Sequence, residues 1–231
     1  MIVHDKYDRT RLVHSAVAGG GAREKKLYDV AFALSIFTIT YNIIEGLVAT
    51  YFGYEDETFA LFGFGLDSII ETISGIGIAH MVYRIRRNNH VSHDDFERTA
   101  LRVTGFAFYA LTLVLVGMAI NNTLTQHRPE TTFWGVVISL ISILIMWALI
   151  YGKRKVGSQL GSEAILADAN CTKVCFYMSL VLLAASGVYE WTRFVYADAI
   201  GTEGLAYFSA TEEKECFAKA RSGLLCSCEQ G

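Results

Sequence analysis

The sequence predicts an all-α polytopic membrane protein, a bundle of six transmembrane helices with both termini in the cytoplasm. Of the 231 residues, 52% are hydrophobic and only one is proline, and the mean hydropathy is +0.34. Charged residues gather in short clusters between apolar runs of about 20 residues, the length that spans a bilayer core. A soluble amphipathic helix would instead carry a charge on almost every turn.

The distribution of charge divides the chain into three parts. We expect residues 1–27 to form a cytoplasmic N-terminal tail, residues 28–213 a six-helix transmembrane domain, and residues 214–231 a short cytoplasmic helix and tail. Arg and Lys are concentrated in both terminal segments and in the loops at 84–87 and 153–155. The positive-inside rule therefore predicts cytoplasmic termini. The predicted spans cover approximately 28–52, 58–83, 99–120, 133–151, 157–189 and 197–210.

Composition argues against several other classes of protein. The net charge is −3 and no basic stripe is present, so we expect no nucleic-acid partner. The five cysteines show no pattern of a disulfide framework. The polar N-terminus lacks the apolar core of a cleaved signal peptide. We find no nucleophile–base arrangement or phosphate loop, so we do not expect an enzyme.

Two carboxylates, Asp67 and Glu71, lie near the middle of the second span. Because they are four residues apart, they face the same side of a helix. Two neighbouring acids in lipid need compensation by protons, a metal ion or a water-filled pathway, so we interpret the pair as functional. The same span is rich in small residues, which let membrane helices approach closely. These are Gly63, Gly65, Gly75 and Gly77.

The fifth span carries a second pair of candidate ligands, Cys171 and Cys175. One helical turn separates them, which places both sulfurs on the same side, roughly 6 Å apart along the axis. Lone buried cysteines usually only pack, but a pair beside Asp168 favours metal ligands. Lys173 is expected to point elsewhere, to a carboxylate on a neighbouring helix or to the interface. We predict that the two pairs surround one divalent cation.

Several secondary candidates allow two interpretations. Glu45 in the first span either forms an interhelical hydrogen bond or takes part in metal or proton handling. His90, His93 and Asp94 form either a solvated polar loop or a weak metal-capture site. Asp168 is a further candidate ligand. The Cys226 and Cys228 tail is either frayed or a hook for soft metal ions.

Two motifs resemble the cation diffusion facilitator (cation efflux) family. The stretch 59–71, FALFGFGLDSIIE, is similar to the family's second-span motif, and 162–175, SEAILADANCTKVC, to its fifth-span motif. In these motifs Asp67 and Glu71 occupy the ligand positions of the second span. The family usually has a histidine and then an aspartate on the fifth span, where this chain has two cysteines.

The resemblance covers about residues 28–220 and implies a six-span fold with both ends inside. It also implies export of metal from the cytoplasm. Residues 198–206 look like part of the family's sixth span, and the loop at 90–95 matches the position of a weaker second site in some members. The family's cytoplasmic C-terminal domain has no counterpart here, which leaves a homodimer open.

Two carboxylates and two thiolates favour a tetrahedral, moderately soft ion, with Zn(II) first and Cd(II) close behind. Ligands must lose protons to bind metal, so metal binding releases protons and we expect proton antiport. We expect the metal ion, protons and the lipid bilayer as partners, and the plasma (inner) membrane as the location. The alternatives are a redox or metal sensor with a switchable Cys171–Cys175 disulfide, which requires strain at this spacing, and a non-transporting partner subunit.

Overall fold

The computed structural model describes residues 4–88, 95–126 and 128–222, and all regular secondary structure within these ranges is α-helical. The helices are α1 (His4–Glu55), α2 (Phe59–Asn88), α3 (Asp95–Thr125), α4 (Phe133–Leu160), α5 (Glu163–Thr192) and α6 (Ala197–Ser222). Helices α1 to α5 each contain a stretch that is long and apolar enough to cross a membrane. Helix α6 has 26 residues but is too polar to be a candidate membrane span by its composition.

These helices confirm the all-α fold and indicate a membrane protein. Many large apolar side chains lie on the outside of the bundle, as expected for a surface that faces lipid. Examples that are more than half exposed are Leu47, Phe106, Leu113, Leu144 and Trp147. The number of crossings and the placement of the termini stay predictions.

The bundle is built from three closely packed helix pairs, α1 with α2, α3 with α6, and α4 with α5. Helix α2 is central, because it also contacts α3, α5 and α6. The main apolar core lies around it and includes Phe64, Phe108, Leu115, Met178, Leu182 and Leu205. This arrangement brings the predicted ligand helices, α2 and α5, face to face.

Glycines permit the close approach of α1 and α2. A Cβ atom added at Gly65 would collide with the backbone of Thr50, and one added at Gly53 would collide with the backbone of Phe62. The predicted role of small residues in α2 is therefore confirmed at Gly65. Gly53, on α1, permits the close approach from the other helix.

The helices extend beyond the apolar runs that predicted them. Helix α4 continues to Leu160 and ends where Gly161 adopts a left-handed conformation, with φ of 59°. Its amide donates to the carbonyl of Gly157, the usual helix stop for which glycine is suited. The prediction that residue 157 opens the fifth span is therefore wrong, because 157–160 complete α4. Helix α1 likewise includes most of the segment predicted as the N-terminal tail.

The connections α1–α2, α3–α4 and α5–α6 meet at one end of the bundle, which we call the loop end. There the amide of Glu130 donates to the carbonyl of Asp56 at 3.2 Å. The Gln126 side chain donates to the hydroxyl of Tyr196 at 2.9 Å. These contacts hold the three connections together.

Candidate functional site

The site is organised by a direct contact between α2 and α5. The Cys175 thiol donates to the Glu71 carboxylate, and its Sγ lies 2.6 Å from each of Oε1 and Oε2. The amide of Asn42, on α1, donates to Glu71 Oε2 at 3.4 Å. Cys175 is 5% exposed and Asn42 is 3% exposed. One member of each predicted ligand pair therefore meets the other inside the bundle.

A small cavity of about 30 Å³ adjoins this contact. That volume accommodates about one water molecule and therefore also one metal ion. Polar side chains of four helices line it. They are Thr38, Asn42, Glu71, Asp168, Cys171, Thr172, Cys175 and Glu212. Cys171 thus shares the cavity with Cys175, as the one-turn spacing predicts.

Asp67 lies one turn from Glu71 and is 1% exposed, but it does not line the cavity. Its Oδ1 atom has no hydrogen-bond partner among the described residues. It interacts electrostatically with the carboxylates of Glu71, Glu212 and Glu45. A buried oxygen without a donor is costly, which marks this carboxylate as a group that needs a partner.

The four predicted ligands do not close around one point in this conformation. Within the described ranges, no group of three or more His, Cys, Asp or Glu side chains lies close enough together to hold a metal ion. Glu71 and Cys175 touch, whereas Asp67 and Cys171 flank them. In the described part of the chain, Cys171 and Cys175 form no disulfide, and neither does Cys216.

Asp168 forms an ion pair that the sequence analysis did not predict. Its Oδ1 lies 2.8 Å from the ammonium of Lys153, on α4. The same ammonium donates to the hydroxyl of Thr172 at 2.9 Å. Lys153 is 1% exposed, although its sequence context, Lys153-Arg154-Lys155, is typical of a membrane interface. The predicted loop lysine is therefore a buried side chain, because α4 extends past residue 151.

Glu45 has hydrogen-bond partners on two helices. The Tyr41 hydroxyl donates to its Oε1 at 2.7 Å, and the Ser68 hydroxyl donates to its Oε2 at 3.1 Å. This is the interhelical bonding that the sequence analysis gave as one of two interpretations. Glu45 therefore contributes to the α1–α2 contact and does not line the cavity.

The other candidates are distributed as follows. Lys173 lies over the ring of Tyr177, with Nζ 5.8 Å from the ring centre. His90, His93 and Asp94 lie outside the described residues, as do Cys226 and Cys228. Glu212 of α6 lines the cavity, although it lies beyond the end of the sixth predicted span, 197–210.

Two further acids, the buried Asp198 and the half-buried Glu190, lie at the loop end and bind helix N-termini. Asp198 accepts hydrogen bonds from the amides of Phe59 and Ala60, at 3.1 and 3.0 Å, where α2 begins. The Asn122 side chain also donates to it at 2.9 Å. Glu190 accepts from the Thr132 amide at 2.6 Å, just before α4 begins. These acids cap helices, which satisfies orphan amides.

Comparison of the chain with models of known protein families finds no match. The resemblance to the cation diffusion facilitator family therefore stays a prediction from the sequence motifs.

Proposed function

We propose that the protein transports a divalent transition-metal ion, Zn(II) or Cd(II), out of the cytoplasm in exchange for protons. The proposal includes six membrane crossings, cytoplasmic termini and a location in the plasma membrane. The observation that carries it is the contact between the Glu71 carboxylate and the Cys175 thiol at a buried cavity. A carboxylate and a thiol from different helices are a mixed oxygen–sulfur donor pair that suits these ions.

The hydrogen bond between the two groups supports the coupling to protons. The Cys175 thiol donates its proton toward both oxygens of the Glu71 carboxylate. A divalent ion binds the thiolate form of cysteine, so its arrival displaces that proton. The ion and the proton therefore compete for the same two side chains. Exchange of one for the other on opposite sides of the membrane is antiport.

Closure of the site would require a small movement of α2 against α5. Cys171 already lines the cavity, and the buried Oδ1 of Asp67 has no donor among the described residues. Movement that brings these two groups to the Glu71–Cys175 pair would supply four ligands. Such alternation between an open and a closed donor set is the conformational change that a carrier requires.

The test is transport by the full chain in vesicles. Purified protein in sealed vesicles should take up Zn(II) when a proton gradient of the opposite direction is imposed. The double variant Asp67→Ala/Cys171→Ala should lose this uptake. Cys216→Ala is a matched control, because Cys216 is a buried cysteine of α6 that forms no disulfide and does not line the cavity. Uptake by the double variant equal to that of the parent would contradict the proposed site. If neither the parent nor the variants take up Zn(II), and mass spectrometry finds a native Cys171–Cys175 disulfide, the redox alternative would be favoured.

A further inference from the structure

Lys153 is the strongest feature that the proposed transport cycle does not use. It is 1% exposed, whereas the next two residues, Arg154 and Lys155, are exposed. Burial of an ammonium group is costly unless it is paired and hydrogen-bonded. Ionisable side chains at membrane depth are therefore retained mainly where they have a function.

Both partners of Lys153 belong to the wall of the cavity. Its Nζ lies 2.8 Å from Asp168 Oδ1 and 2.9 Å from Thr172 Oγ1, and both of those residues line the cavity beside Glu71 and Cys175. The charge of Lys153 also interacts with that of Glu71. A fixed positive charge thus lies directly behind the wall of the proposed cation site.

Only one carboxylate oxygen of Asp168 is paired with the Lys153 ammonium. Its second oxygen, Oδ2, accepts a hydrogen bond of 3.5 Å from Ser35, which is long and therefore weak. In the absence of Lys153, Asp168 would be a cavity-lining carboxylate one turn from Cys171. Carboxylate oxygens are good ligands for divalent ions. The lysine therefore keeps a competent ligand away from the cargo.

We propose that Lys153 is a tethered counter-cation that sets the affinity of the cavity for divalent ions. It neutralises Asp168 when the cavity is empty, and its charge opposes a second cation when the cavity fills. This inference rests on the proposed function, because it concerns the affinity of the proposed cation site. It gives the site an affinity low enough for release of the ion, which a carrier needs as much as binding.

The test is a set of five binding curves for Zn(II) and five for Cd(II), measured on the purified full chain and its variants. Lys153→Met should bind both ions on the order of tenfold more tightly than the parent, within the usual range of coupling between sites. Asp168→Asn should bind them on the order of tenfold more weakly, because the unpaired ammonium then acts on Glu71. The double variant Lys153→Met/Asp168→Asn loses both charges and should return to the affinity of the parent. Lys155→Met, on the exposed side of α4, should change nothing.

The outcomes separate this inference from the proposed function. If Lys153→Met binds the ions no more tightly than the parent, the counter-cation role is overturned. Lys153 and Asp168 would then form only a structural ion pair. Should Lys153→Met fail to fold, the comparison of Asp168→Asn with the double variant decides, because the double variant buries no unpaired charge. Equal affinities of those two would then overturn the inference. A parent that binds neither ion overturns the proposed function, and the inference falls with it.

Discussion

The buried carboxylates of the loop end and those of the central cavity have different partners. At the loop end Asp198 accepts two backbone amides and the Asn122 amide. At the cavity Glu71 accepts a thiol and a side-chain amide. Asp67, one turn away, has an oxygen without a hydrogen-bond partner within the described ranges.

This difference separates structural acids from acids that need an exchangeable partner. The first amides of a helix have no intrahelical acceptor, and they carry the positive end of the helix dipole. A carboxylate placed there is stabilised permanently by the fold. Carboxylates in the middle of a bundle have no such amides available, so side-chain donors, protons, a metal ion or a lysine must compensate them. Under the proposed function, Asp67 and Glu71 are therefore the acids that would exchange ligands.

The largest expected effect comes from Asp198→Ala, compared with Glu71→Gln. The first change leaves buried donors without an acceptor, and we expect it to lower the free energy of unfolding by about 3 kcal/mol. Glu71→Gln keeps an acceptor for Asn42 and removes the charge of a half-buried carboxylate, so it should cost less than about 1 kcal/mol. Denaturation of both variants in detergent measures the difference. Equal losses would show that the two classes of acid are not distinct.

A smaller effect is expected for Glu190→Gln. The Glu190 carboxylate accepts from the Thr131 hydroxyl and the Thr132 amide, both at 2.6 Å. Glutamine keeps one acceptor oxygen but loses the charge-assisted strength of these bonds, so a loss of about 1 kcal/mol is expected. Arg193→Gln is the control, because it leaves the cap intact and removes the 3.4 Å ion pair to Glu190, made by a 59% exposed side chain. It also removes a long 3.5 Å bond to the Glu130 carbonyl and the contact with the Tyr189 ring. An equal loss in both variants would mean that the ion pair, and not the cap, stabilises the loop end.

The smallest effect is expected for Asp56→Asn. Partial burial, then the neighbouring carboxylates of Glu130, Glu55 and Glu190, raise the pKa of Asp56 above its ordinary value. A raised pKa in the folded state means that the charged form opposes folding, so stability falls as pH rises through this pKa. At neutral pH the variant should therefore melt slightly above the parent. The two should melt together below about pH 3.9, where the carboxyl is neutral in both states. A difference that does not change with pH would contradict this cause.

Much of the fold follows from local sequence. Long apolar runs between charged clusters predict the helices, and the four-residue spacing of Asp67 and Glu71, and of Cys171 and Cys175, predicts which side chains share a face. Glu71 and Cys175 then meet because α2 packs against α5. The identity of the touching pair was not predictable, since helix rotation depends on packing with every neighbour.

The sequence did not predict which charged side chains are buried. Lys153 lies in a basic cluster and Glu212 in an acidic one, which are both patterns of an exposed helix end. Helices α4 and α6 extend past their apolar runs, and their neighbours cover these two residues. Only tertiary contacts distinguish them from adjacent exposed residues such as Lys155. The same limit applies to Asp198, whose capping role depends on a helix far away in sequence.

The most direct measurement of the central claim is a Cd(II) titration of the purified chain, followed by the ultraviolet absorption of the cadmium–thiolate bond. The account predicts that one ion binds per chain with thiolate absorption, that Cys175→Ser greatly reduces this absorption, and that Glu71→Gln weakens binding. A parent that binds no Cd(II), or one whose thiolate absorption is unchanged in Cys175→Ser, would contradict a cation site between α2 and α5.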